Sequence, residues 1–226
     1  MKTIASPFLS SIPRIVHGFG TREEPIPGVF LPDWEKLRPK WKQTHGTGST
    51  EATRPSQDCG EVDSLMTRQM GVPIGIVTAD CVPILMARRS GGAVAAIHAG
   101  WRGTRARILN VLWERLKQDG ENPRDWCAAI GPAIGPCCYE VSEDLAQAFS
   151  SEFSWVGKNI AVPRERILDL PAINAAELRE IGLEQVDLIR ACTRCSGNPA
   201  HPDFHSYRRE GGGTRQYSLI GIVGAP

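Results

Sequence analysis

Three residues combine a metal-competent side chain with a place at the end of an apolar run or in a polar loop. His45 lies in Gln43-Thr44-His45-Gly46, Cys81 in Thr78-Ala79-Asp80-Cys81, and His98 directly after Ala95-Ala96-Ile97. Two imidazoles and one thiolate suit zinc, whose catalytic sites take three protein ligands and keep one position open. The same residues also describe a nucleophilic pair, with Cys81 attacking and His98 as its base. Spacing leaves both readings open beside a plainer one, in which Cys81 is a buried apolar residue and the histidines are structural. No short CxxC or HExxH signature supports this set. Asp80, beside Cys81, is a candidate for orienting a ligand histidine from behind. Arg102, in Trp101-Arg102-Gly103 at a predicted strand-to-helix turn, is a candidate anion binder; the alternative is a surface ion pair.

The chain has 7 cysteines, an odd number that argues against a disulfide framework. In a reducing compartment most read as buried thiols, including the adjacent Cys137 and Cys138, whose mutual disulfide is strained. Cys192-Thr193-Arg194-Cys195 is a CxxC, readable as a redox pair or as half of a metal site. No second CxxC exists. The next donors, His201 and His205, leave a middle span too short for a finger. Glu140 reads as structural before it reads as an acid or base, and His17 as an ordinary surface residue. Arg208-Arg209 is open between anion binding and a surface ion pair.

The elements that must position these residues follow from apolar patterning. Short apolar runs bounded by turn formers predict strands at 74–77, 82–87, 93–97, 126–130, 186–191 and 216–223. Helical spacing runs from Thr104 to Gln118, with Asp119-Gly120 as its stop. Ser142 opens a predicted helix to Phe153, with Glu143 and Asp144 in its first turn. Pro171 to Gly182 reads as a helix with Pro at its start and Gly at its C-cap. The stretches 21–53 and 44–59 read as loop with short structured pieces. The expected fold is α+β, with mixed β-sheets covered by helices in a layered α/β sandwich. No composition shift marks a boundary, so residues 1–226 are expected to form a single domain.

Charge excludes some functions. Lys plus Arg is 26 and Asp plus Glu is 25, a net of +1. That balance gives no default attraction to nucleic acid or to a membrane surface. No segment is apolar and long enough to span a bilayer, and residues 1–18 lack the apolar core of a signal peptide. The expected location is the cytoplasm.

Four motifs in order, Thr78-Ala79-Asp80-Cys81-Val82-Pro83, His98-Ala99-Gly100-Trp101-Arg102-Gly103, Ile130 to Val141 and Ser206-Tyr207-Arg208-Arg209, resemble the YfiH family, also called the laccase-domain, polyphenol oxidase or peptidoglycan editing factor family. The resemblance runs from about His17 to Ile220. It implies a zinc site of Cys81, His98 and His45, the last in a motif with Thr44 where Val is usual. It also implies an anion-binding arginine in Phe19-Gly20-Thr21-Arg22, so Arg22 joins Asp80 and Arg102 as a candidate for substrate or phosphate. Here Glu23-Glu24-Pro25-Ile26 follows where Gly-Gly-Val-Ser is common, and His205 stands where Phe is common.

The activity implied is zinc-dependent phosphorolysis of adenosine, inosine, guanosine and methylthioadenosine, with adenosine deamination beside it. The partners expected are therefore a nucleoside and phosphate, on a monomer or weak dimer. Two alternatives come with the family: removal of mis-built peptidoglycan precursors, and copper-dependent phenol oxidation. The chain has 5 histidines, too few for an electron-transfer copper plus a trinuclear cluster. Copper remains possible as an occupant, because the affinity order places it above zinc.

Overall fold

In the computed structural model, residues 2–157 and 159–224 are described. Of the single domain expected over 1–226, residues 1, 158, 225 and 226 lie outside these.

The central layer is a mixed sheet of six strands. In chain order they are β3 (Ser49–Glu51), β5 (Ser64–Thr67), β7 (Val82–Arg88), β8 (Val94–Ala99), β9 (Trp126–Ile130) and β10 (Gln185–Leu188), arranged β10-β9-β7-β8-β5-β3. Three further strands, β1 (Ile15–Phe19), β6 (Ile74–Thr78) and β13 (Gln216–Ile222), make a second sheet in the order β1-β13-β6. Short pairs, β2 (Lys40–Lys42) with β4 (Asp58–Glu61) and β11 (Gly197–Asn198) with β12 (His201–Pro202), complete the strands.

Side-chain alternation sorts the central sheet between two cores. Ile84, Met86, Ala95, Ile97, Ala128 and Ile130 pack on one face with residues of α4 (Ile108–Gln118), α5 (Glu143–Glu152) and α6 (Leu170–Ile181). Leu85, Ala87, Val94, Ala96, Cys127 and Ala129 pack on the other with Phe19, Ile74, Ile76, Ile220 and Ile222 of the three-stranded sheet. The layers are therefore helices, six-stranded sheet and three-stranded sheet, the α+β sandwich expected. A strand covered on both faces reads as a continuous apolar run, which is why β7, β8 and β9 were legible. Short helices α1 (Pro7–Ser10), α2 (Trp34–Leu37), α3 (Trp101–Arg105) and α7 (Tyr207–Glu210) occupy the connections. Among the described residues no helix is long and apolar enough to cross a membrane.

The caps at Ser142 and Gly182 match the sequence, and Asp169 adds one at the start of α6. Ser142 accepts from the Leu145 amide, Asp169 accepts from Ala172, and Gly182 closes α6 in the left-handed region. The helix expected over 104–118 is different: it breaks at Arg107, whose φ is 58°. A left-handed arginine is strained. Its guanidinium offsets this by bonding Glu177 Oε1 at 3.1 Å and Glu180 Oε2 at 2.6 Å, and it lies 4.6 Å from the Trp155 ring. Apolar periodicity continues across the break, so it could not be read. The expected loop over 44–59 contains β3 and the first residues of β4.

Candidate metal centre

Strand register brings two of the three candidate ligands together. β7 and β8 are antiparallel, with Pro83 opposite His98, so Cys81 enters β7 beside the end of β8. On its other side β8 pairs with β5, where Ser64 faces Ile97. One step further along that ladder places Asp63 next to His98, and the His98 amide donates to the Asp63 carbonyl at 2.8 Å.

The Asp63 side chain is the organiser of the site. Its Oδ1 lies 2.7 Å from His98 Nδ1 and accepts from the His45 amide at 2.9 Å. Its Oδ2 accepts from the Gly46 amide at 2.7 Å and from the amide and hydroxyl of Thr44, both at 3.1 Å. One fully buried carboxylate thus holds His98 from behind and wraps the 44–46 loop around itself. The wrapped loop turns through His45, whose φ is 60°, and delivers its imidazole to the other two ligands. Donor atoms of His45, Cys81 and His98 all lie within 4.8 Å of one another, and the two imidazoles meet edge to face with centroids 4.8 Å apart. His98 is buried, Cys81 half-buried and His45 exposed.

Charge in this cluster is strongly coupled. Burial pushes the Asp63 carboxyl up, but the His98 hydrogen bond and the Gly46 and Thr44 amides outweigh it and hold it at about 2. Burial would lower His98, yet its bonds to Asp63 and Cys81 raise it to about 9. Burial would raise Cys81, and hydrogen bonds from His45 and His98 bring it down to about 6. The thiolate is the ligand form zinc requires, and His98, with its Nδ1–H committed to Asp63, reaches its own ligand form by giving up the Nε2 proton. Tetrahedral zinc with bonds of about 2.0–2.3 Å sets its donors about 3.4–3.6 Å apart, so small side-chain shifts close this triad on an ion. Gly100 makes the approach possible. A Cβ there would lie 3.1 Å from Cys81 Sγ and 3.2 Å from His45 Cδ2.

The triad lines a cleft of about 480 Å³, within the usual range for small-ligand sites. Arg102, Arg208 and Arg215 line it too, and among its described lining residues Asp80 is the one carboxylate. The Arg102 guanidinium lies 4.3 Å above the Trp101 ring. Among the described residues Arg102 and Arg215 form no ion pair. Tyr139 forms another wall, and burial raises its phenol to about 12.

Several expectations change. Asp80 does not orient a ligand histidine: its Oδ1 accepts from Thr193 Oγ1 at 2.6 Å and its Oδ2 from the Arg208 amide at 2.7 Å. These bonds fix a backbone at φ 87° that carries the chain into Cys81. The orienting carboxylate is Asp63, which the sequence reading missed. Its only signal was an acid separated by Ser64 from the apolar pair Leu65-Met66. Arg22 is not among the cleft residues; it pairs with Glu210. Glu210 also takes Arg209, whose guanidinium bonds the carbonyls of Thr193 and Arg194. Glu140 pairs with Arg166 at 2.9 Å. His17 is neither at the surface nor in the cleft; it is buried in β1, and its Nε2 accepts from the Ser6 amide at 2.8 Å. Cys137 is exposed and Cys138 half-buried, against the expectation of buried thiols.

Comparison with known proteins follows the geometry. The family model described as multi-copper polyphenol oxidoreductase laccase matches residues 35–223. An adenosine deaminase, RL5, from an unknown prokaryotic organism is 38% identical over 156 residues, covering 66% of this chain and 58% of that relative. A purine nucleoside phosphorylase from Deinococcus radiodurans is 37% identical over 197 residues, 86% of this chain and 72% of the relative. The crystal structure of YlmD from Geobacillus stearothermophilus superposes with a TM-score of 0.80 at 26% identity, covering 97% of this chain and 94% of that one.

Proposed function

The chain belongs to the multi-copper polyphenol oxidoreductase laccase family, and from that premise we propose that it is a zinc-dependent purine nucleoside phosphorylase. Its substrates are adenosine, inosine, guanosine and methylthioadenosine, with adenosine deamination as a companion activity. The observation that carries this reading is the His45–Cys81–His98 cluster in a cleft lined by three arginines and a single acid. The names of the RL5 and Deinococcus relatives agree with it.

The excess of positive charge favours an anionic co-substrate, and phosphate is what phosphorolysis needs and hydrolysis or phenol oxidation does not. Arg102, its guanidinium carbon over the Trp101 ring, presents its donors to the anion. Arg208 has its amide on Asp80 and one nitrogen on the Glu140 carbonyl at 2.9 Å, so it is a rigid second cation. His45, Cys81 and His98 would hold the zinc, which would supply a Lewis acid there. Tyr139 lines the cleft with a phenol that burial keeps protonated at neutral pH, and in this reading it gives the hydrogen bond to the leaving purine. Among the described residues the other histidines lie outside the triad. His17 is buried on Ser6, His205 lies 3.4 Å from Glu210, and His201 is exposed. That distribution argues against a multi-copper oxidase, which needs its histidines together.

The test is phosphate dependence on zinc-loaded protein, with products separated by chromatography. Adenine and ribose 1-phosphate appearing only with phosphate support the reading, and inosine in both arms adds the deaminase. Absence of any purine product refutes it and moves the assignment to precursor editing or phenol oxidation.

A further inference from the structure

Four cysteines outside the cleft converge on one point. Cys137 and Cys138 follow β9, Cys192 and Cys195 follow β10, and all four sulfurs lie within 4.8 Å of one another. The two segments are fastened by the parallel sheet that precedes them. Ala133 bridges Cys192 in parallel, the Ala133 amide bonds the Ala191 carbonyl at 3.2 Å, and the Thr193 amide bonds the Ala133 carbonyl at 3.0 Å. Gly135 turns the first segment over the second. Its carbonyl accepts from the amides of Cys138 and Tyr139 at 2.9 and 3.0 Å. A Cβ at Gly135 would sit 3.5 Å from both Cys137 Sγ and Cys192 Cβ.

Three features separate this cluster from a chance meeting of thiols. The sulfurs are not arranged as two pairs: each is near all the others, the arrangement a tetrahedral ion needs and two disulfides do not. Zinc–sulfur bonds of about 2.3 Å put tetrahedral sulfurs about 3.8 Å apart, and Cys137 and Cys195 are already at 3.5 Å. Lastly, Cys192 Sγ accepts the Gly135 amide at 3.3 Å, with further backbone hydrogen bonds from Cys195 and Arg194. Amides aimed at a sulfur stabilise it as a thiolate, the ligand form.

We propose that Cys137, Cys138, Cys192 and Cys195 form a second, structural zinc site, closed to substrate by having four protein ligands. On binding, each thiol that becomes a ligand gives its proton to solvent, and no oxidant or reductant is involved. The site ties two distant stretches of chain to the cleft wall. Thr193, inside the CxxC, donates to Asp80, and Tyr139, next to Cys138, lines the cleft. The four-cysteine set replaces the Cys192, Cys195, His201, His205 combination that sequence spacing offered. The donors that complete the CxxC lie more than fifty positions upstream of it.

The experiment is zinc stoichiometry on protein purified without added metal, measured by elemental mass spectrometry. Two zinc ions per chain are expected. His98→Ala should lose one and Cys195→Ser the other, each variant retaining the remaining ion. Cobalt exchanged into His98→Ala should give the intense thiolate-to-cobalt charge-transfer bands of a four-sulfur site. If Cys195→Ser fails to fold, the wild-type protein decides by thiol mapping. Exposed Cys137 and Cys195 should resist alkylation until zinc is chelated, then react at least tenfold faster. One zinc per chain, lost in His98→Ala, with Cys137 and Cys195 alkylated at once, would overturn the proposal. So would a Cys137–Cys195 disulfide in the non-reducing peptide map of freshly purified protein.

Discussion

Asp63→Asn tests whether one buried carboxylate assembles the metal centre. The native side chain accepts five hydrogen bonds: from the amides of Thr44, His45 and Gly46, from the Thr44 hydroxyl and from His98 Nδ1. Asparagine keeps one acceptor oxygen. If that oxygen serves His45 and His98, its NH2 faces the Thr44 and Gly46 amides, donor against donor. If the amide is flipped, the NH2 faces His98, which must then reverse its tautomer and withdraw Nε2 as a ligand. The flipped form leaves the part-buried His45 amide without an acceptor and loses the His98 ligand; the unflipped form leaves the part-buried Thr44 and Gly46 amides without one, at about 1–3 kcal/mol each and roughly 2–5 kcal/mol in all. For a chain of this length that lowers Tm by roughly 4–20 °C. Zinc affinity at the triad should fall by about 10–100-fold, the usual effect of removing a carboxylate behind a ligand histidine. The assay is competition with a chromogenic chelator at pH 7.5, paired with thermal unfolding in excess zinc. Glu177→Gln is the control, because Glu177 is a buried carboxylate of α6 that bonds Arg107 and the Asn110 amide and touches no ligand; its zinc affinity should stay within about threefold of the parent. Unchanged affinity in Asp63→Asn, or an equal loss in Glu177→Gln, would refute the reasoning.

Three more outcomes are expected. Gly100→Ala places a methyl 3.1 Å from Cys81 Sγ and 3.2 Å from His45 Cδ2; triad zinc affinity should drop about tenfold or more while secondary structure by circular dichroism is retained, and normal loading would contradict the packing argument. Zinc binding at the triad should release roughly one proton at pH 7.5, because His98, raised to about 9, is still protonated there while Cys81, lowered to about 6, is mostly thiolate. Release should vanish at pH 10, read with an indicator in weak buffer on the Cys195→Ser variant; no release at pH 7.5 would break the charge assignment. His17 is held neutral by burial, with its pKa lowered to about 4. Its contribution is complete above the unfolded value near 6.5 and is lost as pH falls through about 4, roughly 3 kcal/mol in all. His17→Gln, which keeps an acceptor for the Ser6 amide, should flatten urea-measured stability between pH 7 and 4; an unchanged slope would count against it.

The parts legible in sequence share a cause. Strands β7 to β9 are covered on both faces, so they stand out as apolar runs, and Cys81 and His98 were visible as polar residues at their ends. His45 came into view through its motif rather than any periodicity, since a loop wrapped on a carboxylate leaves no repeat. Asp63 was missed because its meaning lies in register: only once Ser64 is known to face Ile97 does the preceding acid fall beside His98. Arg22 was chosen from a motif that breaks after it, and its guanidinium goes to Glu210. The four-cysteine cluster was half visible, as a CxxC without a mate. Pairing of β9 with β10 in parallel supplies the mate, and parallel pairing of distant segments has no local signature.

The three-stranded sheet sets a timetable for biosynthesis. Its middle strand is β13, with β1 and β6 hydrogen-bonded to either side of it. Both edge strands are translated long before their shared neighbour. From Thr78 to Gln216 the ribosome adds about 140 residues, on the order of ten seconds at common elongation rates. Throughout that interval the apolar faces of β1 and β6, and of the central sheet they cover, lack the strand that joins them. A nascent chain stalled before Gln216 should therefore present unpaired strand edges to any chaperone within reach. Release of β13 is the step that joins β1 to β6 and closes this sheet.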